Sequence, residues 1–475
     1  MDSITAEKLN KYFASISTDQ NYSEPTVAQY NRECNDFVPF EIDHVEKFLS
    51  RLKHTAAGED KIPFWFLKQF SAKLSTPLAY LFNRFINEKA CPISWKNATI
   101  TPISKITNPT EEANFRPISV TPILCRIFEK NLVKFNILPN LSHHTNSNQY
   151  AFRPSCSTTA ANTAITHSIT EMFENGAKFV RCITVDFSKA FDSVPHSILI
   201  EKYKSTKIPS LIINWLIDYL SYRTHCTVFN NKISSLAKIN ASVIQGSGIG
   251  PISFCVFVSD IKTISKCNKF EKYADDATLL VPSNSDVDIM QEFGNIINWS
   301  QQNCLKINFS KTKEIIFYHR SKPSPEISLV PGVERVKNVT ILGILYQEKF
   351  SFSQHLNKTL VTANQRLYLV NSLRKAGLCP ESTNVIFHSL VLSKLTYCVP
   401  SWHTYISAID VSKINKFKKS LLNGTVLIHV LIGVQLLTIL MKNFSDLSKP
   451  TQLIVLLAYF PYQNPLVITL DPKTP

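Results

Sequence analysis

Residues 270–280 read FEKYADDATLL, an apolar segment interrupted by two adjacent acids, Asp275 and Asp276. Short apolar runs on both sides of a turn-forming pair predict a β-hairpin with the two carboxylates at its tip. A second apolar run, FVRCITVD, ends on Asp186 and predicts a buried strand over residues 179–186. If the two elements lie side by side in one sheet, the three carboxylates meet at one edge.

Carboxylates held that close together repel one another unless a cation lies between them. Hard oxygen ligands of this kind suit Mg²⁺. Two such ions are what an in-line displacement at phosphorus requires, because one activates the attacking hydroxyl and the other stabilises the leaving group. An Asp-Asp pair alone is also typical of a solvated turn, since Asp is common in turns.

A glycine-rich segment lies between the two acidic elements. Residues 245–251 read QGSGIGP and hold three of the eleven glycines of the chain. Such a turn allows the backbone to approach a nucleotide or a template closely, although many loops share this composition.

The rest of the chain mixes helical and strand patterns without a strict βαβ repeat. After a polar helix and loop in residues 1–40, apolar periodicity predicts helices over residues 41–52, 62–86, 158–174, 196–221 and 286–304, a hairpin over 226–244, and strands at 305–307 and 314–318. This order favours an α+β domain with an antiparallel sheet.

The composition indicates a folded, basic protein. Lys and Arg number 51 against 36 acids in 475 residues, a formal net charge of +15. That excess favours a polyanionic partner, nucleic acid before an acidic membrane surface, with a merely solvated basic surface as the alternative. Apolar residues at 44% and charged residues at 18% exclude wholesale disorder.

The cysteines and the N-terminus bear on compartment. The eleven cysteines include no CxxC pair, so no zinc site is expected. The N-terminal MDSITAEKLNKYF has early acids and no apolar core, so it is not a secretory signal. We therefore expect reduced thiols in a cytoplasmic and nuclear protein.

The C-terminal tail differs from the rest. Residues 425–441 form an uncharged, largely apolar run of seventeen residues that includes His429 and Gln435. This length is at the low end for a membrane span. Buried helices, or an unrelated or out-of-frame C-terminus, are the interpretations we favour, and no stable membrane association is expected.

The order of three motifs resembles a known family. VDFSKAFDSV at residues 185–194, QGSGIGP at 245–251 and YADD at 273–276 resemble the palm motifs of reverse transcriptases from non-LTR (LINE-type, jockey-like) retrotransposons. Flanking matches are PISWK at 92–96, PISK at 102–105, NFRPIS at 114–119 and QYAFRPS at 149–155, and later blocks contain Trp299, Lys311 and Trp402. The resemblance extends over roughly residues 5–415.

The resemblance implies a right-hand polymerase fold with fingers, palm and thumb around an antiparallel palm sheet. Its expected divisions are an N-terminal extension at 1–40, fingers at 41–178, a palm with part of the fingers at 179–355, thumb-like helices at 356–420 and a divergent hydrophobic tail at 421–475. The implied activity is RNA-directed DNA synthesis from an RNA template, a DNA primer and dNTPs, with two Mg²⁺ ions, or Mn²⁺ in their place.

The resemblance also implies roles for single residues. Asp186 and Asp275 correspond to metal ligands, and Asp276 to the adjacent catalytic carboxylate, a third metal-site residue with either a direct or an indirect metal contact. Lys311 is a candidate general acid for pyrophosphate release, or else a contact to backbone phosphate. Lys105 and Arg116 would meet the triphosphate, with ordinary surface charge as the alternative.

Further residues are expected around the nucleotide and the template. Phe191 corresponds to the bulky residue that excludes a ribose 2′-hydroxyl, with an aromatic core residue as the alternative. The remaining expected contacts are Phe187, Gln245 and Gly246 to the nucleotide, Tyr273 beneath the primer end and Arg153 to the template backbone. His355, Trp299 and Trp402 are expected to serve in packing.

Departures from the family pattern leave other interpretations open. Ala151 stands where the family usually has Gly, and Ser242 and Ile244 replace a common Gly and Pro. Without an endonuclease or a Cys/His knuckle, the chain is expected to be a fragment or a degraded or domesticated copy. The alternatives are a catalytically inactive RNA-binding relic, and a relic whose hydrophobic tail prevents stable folding.

Overall fold

The computed structural model describes residues 4–29, 36–141, 148–319 and 322–424, without side chains for residues 420–424. Its strands are β1 Asn97–Ser104, β2 Phe115–Val120, β3 Phe179–Val185, β4 Arg223–Phe229, β5 Lys232–Ile233, β6 Ala237–Ile239, β7 Lys269–Tyr273, β8 Asp276–Pro282, β9 Lys313–Tyr318, β10 Glu334–Arg335, β11 Asn338–Ile341 and β12 Ile344–Gln347.

Helices surround these strands. In the first half of the chain they are α1 Ala6–Ile16, α2 Ile42–Ser50, α3 Phe64–Gln69, α4 Ser71–Asn87, α5 Ile93–Lys96, α6 Ile123–Leu132, α7 Leu138–Leu141, α8 Thr158–Glu174, α9 His196–Lys204 and α10 Ser210–Leu220. They continue as α11 Gly250–Phe257, α12 Ile289–Gln302, α13 Ser353–Lys375, α14 Pro380–Phe387, α15 Ser393–Thr396, α16 Val399–Trp402 and α17 Ala408–Gly424. Short 3₁₀ segments lie at Glu112–Asn114 and His403–Tyr405, and π segments at Val133–Ile137 and His388–Leu392.

The central sheet has the strand order β10-β9-β3-β8-β7. Strand β3 pairs antiparallel with both β8 and β9, and only the short β9–β10 contact is parallel. Side chains on β3 alternate between two cores: Val180 and Cys182 join one, Ile183 and Val185 the other. A strand buried on both faces explains its continuous apolar run.

A second sheet is mixed. Its order is β2-β1-β4-β5, with β6 also on β4, and β1 pairs parallel with β4. Helix α1 packs against this sheet because Leu9 and Phe13 bury their side chains with Ile100 and Phe115. The two sheets and the helices around them confirm the α+β class.

Several boundaries match the sequence predictions. Helix α8, strand β3 and the β7–β8 hairpin fall where apolar periodicity placed them. The helix predicted over residues 62–86 was wrong in its continuity, because the chain breaks at Phe70 into α3 and α4.

The helix predicted over residues 196–221 is likewise two helices. Helix α9 ends at Lys204 and α10 begins at Ser210, directly after Pro209. Because proline has no N–H to donate to the preceding turn, it favours the start of a new helix over continuation of the old one. Residues 305–307 form no strand, and Ile307 makes only an isolated bridge to Phe187. In the predicted 226–244 hairpin, β4 pairs with both β5 and β6, and the paired region ends at Ile239.

The predicted tail at 421–475 lies outside the described residues beyond Gly424, and so does the apolar run at 425–441. Within the described part of the chain, no helix combines the length and apolarity that a membrane crossing requires.

Candidate active site

The three predicted acids meet at one edge of the central sheet. Val185 on β3 pairs with Ala277 on β8, so Asp186 and Asp276 lie at the same end of neighbouring strands. Tyr273 pairs with Asp276, which leaves Ala274 and Asp275 as the two-residue tip of the hairpin. The sequence expectation of adjacent acidic strand ends is confirmed.

A buried glutamine holds the hairpin tip. Ala274 has φ 57°, in the left-handed region that residues other than glycine seldom adopt. Its N–H donates to the side-chain oxygen of Gln149 at 3.1 Å, and the same oxygen accepts from the N–H of Ala151 at 3.0 Å. Gln149 therefore fixes the turn that presents Asp275.

The backbone of Asp186 is clamped by the block that contains Lys311. Its N–H donates to Oγ1 of Thr312 at 3.3 Å, and its carbonyl oxygen accepts from the N–H of Asn308 at 2.8 Å. The N–H of Lys311 donates to the Asn308 carbonyl at 3.1 Å, forming a turn. Lys311 is thus held close along the backbone to the Asp186 strand end.

The carboxylates destabilise one another's charged forms. Burial raises the pKa of Asp276 to about 6, and the charges of Asp275 and Asp186 add to the rise. Burial also raises the pKa of Asp275, as does Asp186, while a backbone hydrogen bond and the cations Arg116 and Lys311 oppose the increase. A cation between these groups would relieve the repulsion.

The donor set fits a hard divalent ion. No group of three or more His, Cys, Asp or Glu side chains is arranged to hold a metal within the described residues. Mg²⁺, however, is commonly held by only one or two carboxylates together with substrate phosphates and water. Two mutually repelling carboxylates at a strand edge meet that requirement from the protein side.

Two predicted cations lie on the second sheet. Arg116 on β2 pairs with Ile103 on β1, and Lys105 follows β1 directly, so the β1–β2 connection brings the cations together. Both side chains are exposed, and Nζ of Lys105 donates to the carbonyl of Ala113 at 2.8 Å. Partial desolvation beside the neighbouring protein atoms lowers the pKa of the otherwise exposed Lys105, and the positive charges of Arg116, Lys189 and Lys311 lower it further.

Asp192 is a site residue that the sequence reasoning missed. Nε2 of Gln245 donates to Oδ1 of Asp192 at 2.7 Å. Burial raises the pKa of Asp192 to about 6, against the opposing effects of Gln245, Lys105 and Lys189. Asp192 therefore orients the Gln245 amide, and the second acid within VDFSKAFDSV was the signal for it.

The glycine-rich turn fits closely against strand β2. Gly246 has φ 114°, and a Cβ added there would lie 2.3 Å from the carbonyl oxygen of Ser119. The N–H of Ser119 donates to the carbonyl of Gln245 at 2.8 Å, which ties the turn to the strand. A side chain at Gly246 would break this contact.

A buried acid also holds the glycine-rich turn in place. The Glu129 carboxylate accepts from the N–H groups of Gly248 and Ile249, the latter at 3.2 Å, and from the hydroxyl of Tyr219 at 2.7 Å. No local sequence pattern indicates this role, because Glu129 and Gly248 are 119 residues apart.

A comparison with known families adds an independent observation. Residues 104–346 match the family described as "Reverse transcriptase (RNA-dependent DNA polymerase)", just over half of the 475 residues. The chain belongs to the reverse transcriptase family. The matched segment contains every acid of the sheet edge, together with the glycine-rich turn.

Curated relatives agree with the jockey-like resemblance. The chain is 26% identical over 381 residues to "Probable RNA-directed DNA polymerase from transposon X-element" of Drosophila melanogaster, covering 77% of this chain and 41% of the relative. It is 27% identical over 330 residues to "RNA-directed DNA polymerase from mobile element jockey" of the same species, covering 66% and 36%. The chain thus spans less than half the length of these relatives.

Several aromatic residues predicted for the site of this reverse transcriptase domain pack into or against its core. Phe187 is buried with its ring 6.4 Å from that of Trp299, and the half-buried Phe191 stacks on Phe254 at 4.4 Å. Tyr273 is half-buried against the same core. Trp299 is therefore a packing residue, as expected.

Packing also accounts for two later residues. His355 is buried with its ring 5.5 Å from that of the buried Trp402. Nη1 of Arg153 donates to the carbonyl of Gln149 at 3.1 Å, which places Arg153 next to the residue that holds the hairpin tip.

The departures from the family pattern have different structural consequences. Ala151 is buried without a positive φ, and the following Phe152 takes the left-handed conformation at 58°. Ser242, where the family commonly has Gly, has φ 104°. The reverse transcriptase domain thus carries backbone strain at Ser242, three residues before Gln245.

Proposed function

We propose that this chain catalyses RNA-directed DNA synthesis by phosphoryl transfer, as part of a non-LTR retrotransposon protein. The observation that carries the proposal is the meeting of Asp186, Asp275 and Asp276 at one sheet edge, within electrostatic reach of Arg116 and Lys311. The substrates are an RNA template, a DNA primer and dNTPs.

In this proposal the chain has the right-hand polymerase fold of fingers, palm and thumb. Residues 41–178 form the fingers, 179–355 the palm with part of the fingers, and 356–420 the thumb. The antiparallel β3–β8–β7 arrangement supports a palm, since it presents acids at its strand ends. The long helix α13, which follows the central sheet, supports a helical thumb.

Asp186 and Asp275 would hold divalent cations, Mg²⁺ or Mn²⁺, with Asp276 beside them. When bound, these ions activate the primer hydroxyl and stabilise the charge on the leaving pyrophosphate. The protein's own part at this edge is to fix the carboxylates, through Gln149 at the hairpin tip and Thr312 at the Asp186 backbone.

The triphosphate would lie against the second sheet. Lys105 and Arg116 bind its oxygens, a point charge and a bidentate fork respectively. The primer 3′-oxygen forms a bond to the α-phosphorus as the bond to the pyrophosphate oxygen breaks, and the hydroxyl proton leaves to solvent. Lys311 donates a proton to the departing pyrophosphate.

The glycine-rich turn would meet the nucleotide and the template. Gln245, oriented by Asp192, contacts the sugar or base edge, and the bare backbone at Gly246 allows close approach. Phe191, braced on Phe254, limits the space near the ribose 2′-position, with Phe187 beneath. Tyr273 supports the primer end and Arg153 contacts the template backbone.

Primer extension on a primed RNA template with dNTPs and Mg²⁺ tests the proposal. Asp275→Asn should lower extension on the order of 10³-fold, because it removes a charged metal ligand worth several kcal/mol. Glu59→Gln, an exposed turn acid, is the matched control and should keep full activity.

Extension that survives in Asp275→Asn contradicts the carboxylate assignment. Salt-sensitive RNA binding without extension by the wild-type chain supports the inactive relic instead. A version ending at residue 420 separates a third case, in which the hydrophobic tail alone prevents folding.

A further inference from the structure

A basic cleft lies between helix α2 and helix α6, apart from the residues assigned to catalysis. Its volume is about 590 Å³, within the range of about 300–1,000 Å³ that is usual for ligand sites. Six cations line it: Lys47, Arg51, Lys53, Arg126, Lys130 and Lys134. His44 and His54 also line it, and no acid does.

The cations form two rows. Arg126, Lys130 and Lys134 are spaced four residues apart along α6 and the π segment that continues it, and Lys47 and Arg51 are four apart at the end of α2. Like charges at this spacing lower helix stability by about 0.2–0.5 kcal/mol per pair. The repulsion within such rows is unfavourable when nothing is bound, and a bound polyanion would offset that repulsion.

Few protein groups neutralise the rows. None of Lys47, Arg51, Lys53 and Lys130 forms an ion pair with another described residue. Glu41, just outside the cleft, lies 3.5 Å from His44, and the charges of Glu129 and, more weakly, Asp60 act on Arg126 through space without forming an ion pair with it. The cleft therefore keeps an excess of positive charge.

Two of the cations are held in place. Arg126 donates to Oγ1 of Thr55 at 2.7 Å and to the carbonyl of Ala56 at 2.5 Å. Nζ of Lys134 lies 4.8 Å from the ring centre of Phe135, whose ring stacks on His44 at 4.0 Å. These contacts preorganise the charge, since the side chains lose less freedom on binding.

We infer that this cleft binds the phosphodiester backbone of the single-stranded RNA template, as a contact additional to the catalytic site. The row from Arg126 to Lys134 extends about 12 Å at 1.5 Å per residue. That is longer than a single phosphate group and suits successive phosphates along a strand. The choice of RNA as the occupant rests on the proposed function.

The test compares RNA binding by two triple variants of the full chain. Lys47→Gln/Arg51→Gln/Lys134→Gln removes three cleft cations. Lys178→Gln/Lys232→Gln/Lys266→Gln removes three exposed lysines elsewhere and is the charge-matched control. The probes are unstructured poly(U) RNA, single-stranded DNA of equal length and polyglutamate, each titrated over a range of salt, with melting temperatures measured for both variants.

The cleft variant should bind poly(U) on the order of tenfold more weakly, and its salt slope should decrease by about 2, at about 0.7 per phosphate contact in single strands. The control should stay within about twofold of wild type. Equal slopes for the two folded variants overturn the inference. So does polyglutamate that competes as well as RNA, which would make the cleft a site for acidic proteins.

The DNA arm tests whether the contact is made to the phosphodiester backbone. Because RNA and single-stranded DNA share that backbone, the cleft variant should bind both more weakly than the control does, whereas loss of DNA binding alone overturns the inference. Primer extension distinguishes the two proposals. If the wild-type chain extends a primer but the two triple variants show equal salt slopes for RNA binding, only the cleft inference is rejected. If the salt slopes differ as expected but the wild-type chain does not extend a primer, only the polymerase proposal is rejected.

Discussion

The central sheet carries charged side chains at two places. Opposite charges meet at the first and like charges at the second. In the middle of β3, Arg181 donates to the buried carboxylate of Glu314 at 2.7 Å, and Arg335 donates to its other oxygen at 2.8 Å. Five residues further along the chain, directly after β3 ends, Asp186 meets Asp275 and Asp276.

The two clusters differ in whether the protein itself compensates their charges. Opposite charges around Glu314 satisfy one another, so that cluster stabilises the fold without any partner. Like charges at the strand end do not, and the pKa values of Asp275 and Asp276 are raised as a result. An arrangement that only a ligand can satisfy indicates a site for that ligand.

The largest expected effect comes from removing the charge of Glu314, which compensates two arginines. Glu314→Gln should lower the free energy of unfolding by about 3–5 kcal/mol, because two arginines would lose the charge that compensates their burial. Chemical denaturation measures it. Glu334→Gln, which removes the exposed Lys313–Glu334 pair on the adjacent strand, should change stability by about 0–1 kcal/mol. Equal losses in the two variants would mean that Glu314 is not specially stabilised.

The next effect concerns pH, and it separates buried bases from buried acids. Burial lowers the pKa of His225 to about 4 from its ordinary 6.5, so between these values only the unfolded chain takes up the proton. Stability is therefore lost as pH falls from about 6.5 to 4, by roughly 2–3 kcal/mol for this group. His225→Gln should flatten that part of the melting-temperature profile.

Asp192 provides the contrast of opposite sign. Its folded pKa of about 6 lies above the ordinary 3.8, so the folded chain binds the proton first and gains stability as pH falls between these values. Asp192→Asn should remove this gain and steepen the acid loss. A profile unaffected by either substitution would contradict both assignments.

The smallest effect concerns backbone strain next to the glycine-rich turn. Ser242→Gly should raise the free energy of unfolding by about 1 kcal/mol, since Ser242 has φ 104°. Thermal melting measures it, and Ser259→Gly, which follows α11 and has no positive φ, is the control that should not stabilise. Unchanged stability in Ser242→Gly would mean that the turn has relaxed.

The sequence predicted the acidic edge well for a physical reason. In FEKYADDATLL and FVRCITVD the apolar runs, the turn and the acids all lie within a few residues of each other. Local patterns of this kind determine strands and hairpins. The break at Phe70 escaped prediction because neither Gly nor Pro marks it.

The supporting residues could not be predicted from local patterns. Gln149 holds a hairpin tip 125 residues away, and Glu129 holds a turn 119 residues away. Asp192 gains its role only through Gln245, 53 residues later. Such roles depend on which strands become neighbours, and no short segment of sequence contains that information.

Mg²⁺-dependent stabilisation tests the central claim most directly, without relying on activity. The account predicts that Mg²⁺ raises the melting temperature of the wild-type chain, and that Asp275→Asn, although at least as stable as wild type in EDTA, loses most of that response. Glu59→Gln should respond as wild type does. An Asp275→Asn variant that responds to Mg²⁺ as strongly as the wild type would contradict the claim that the acidic edge is a cation site.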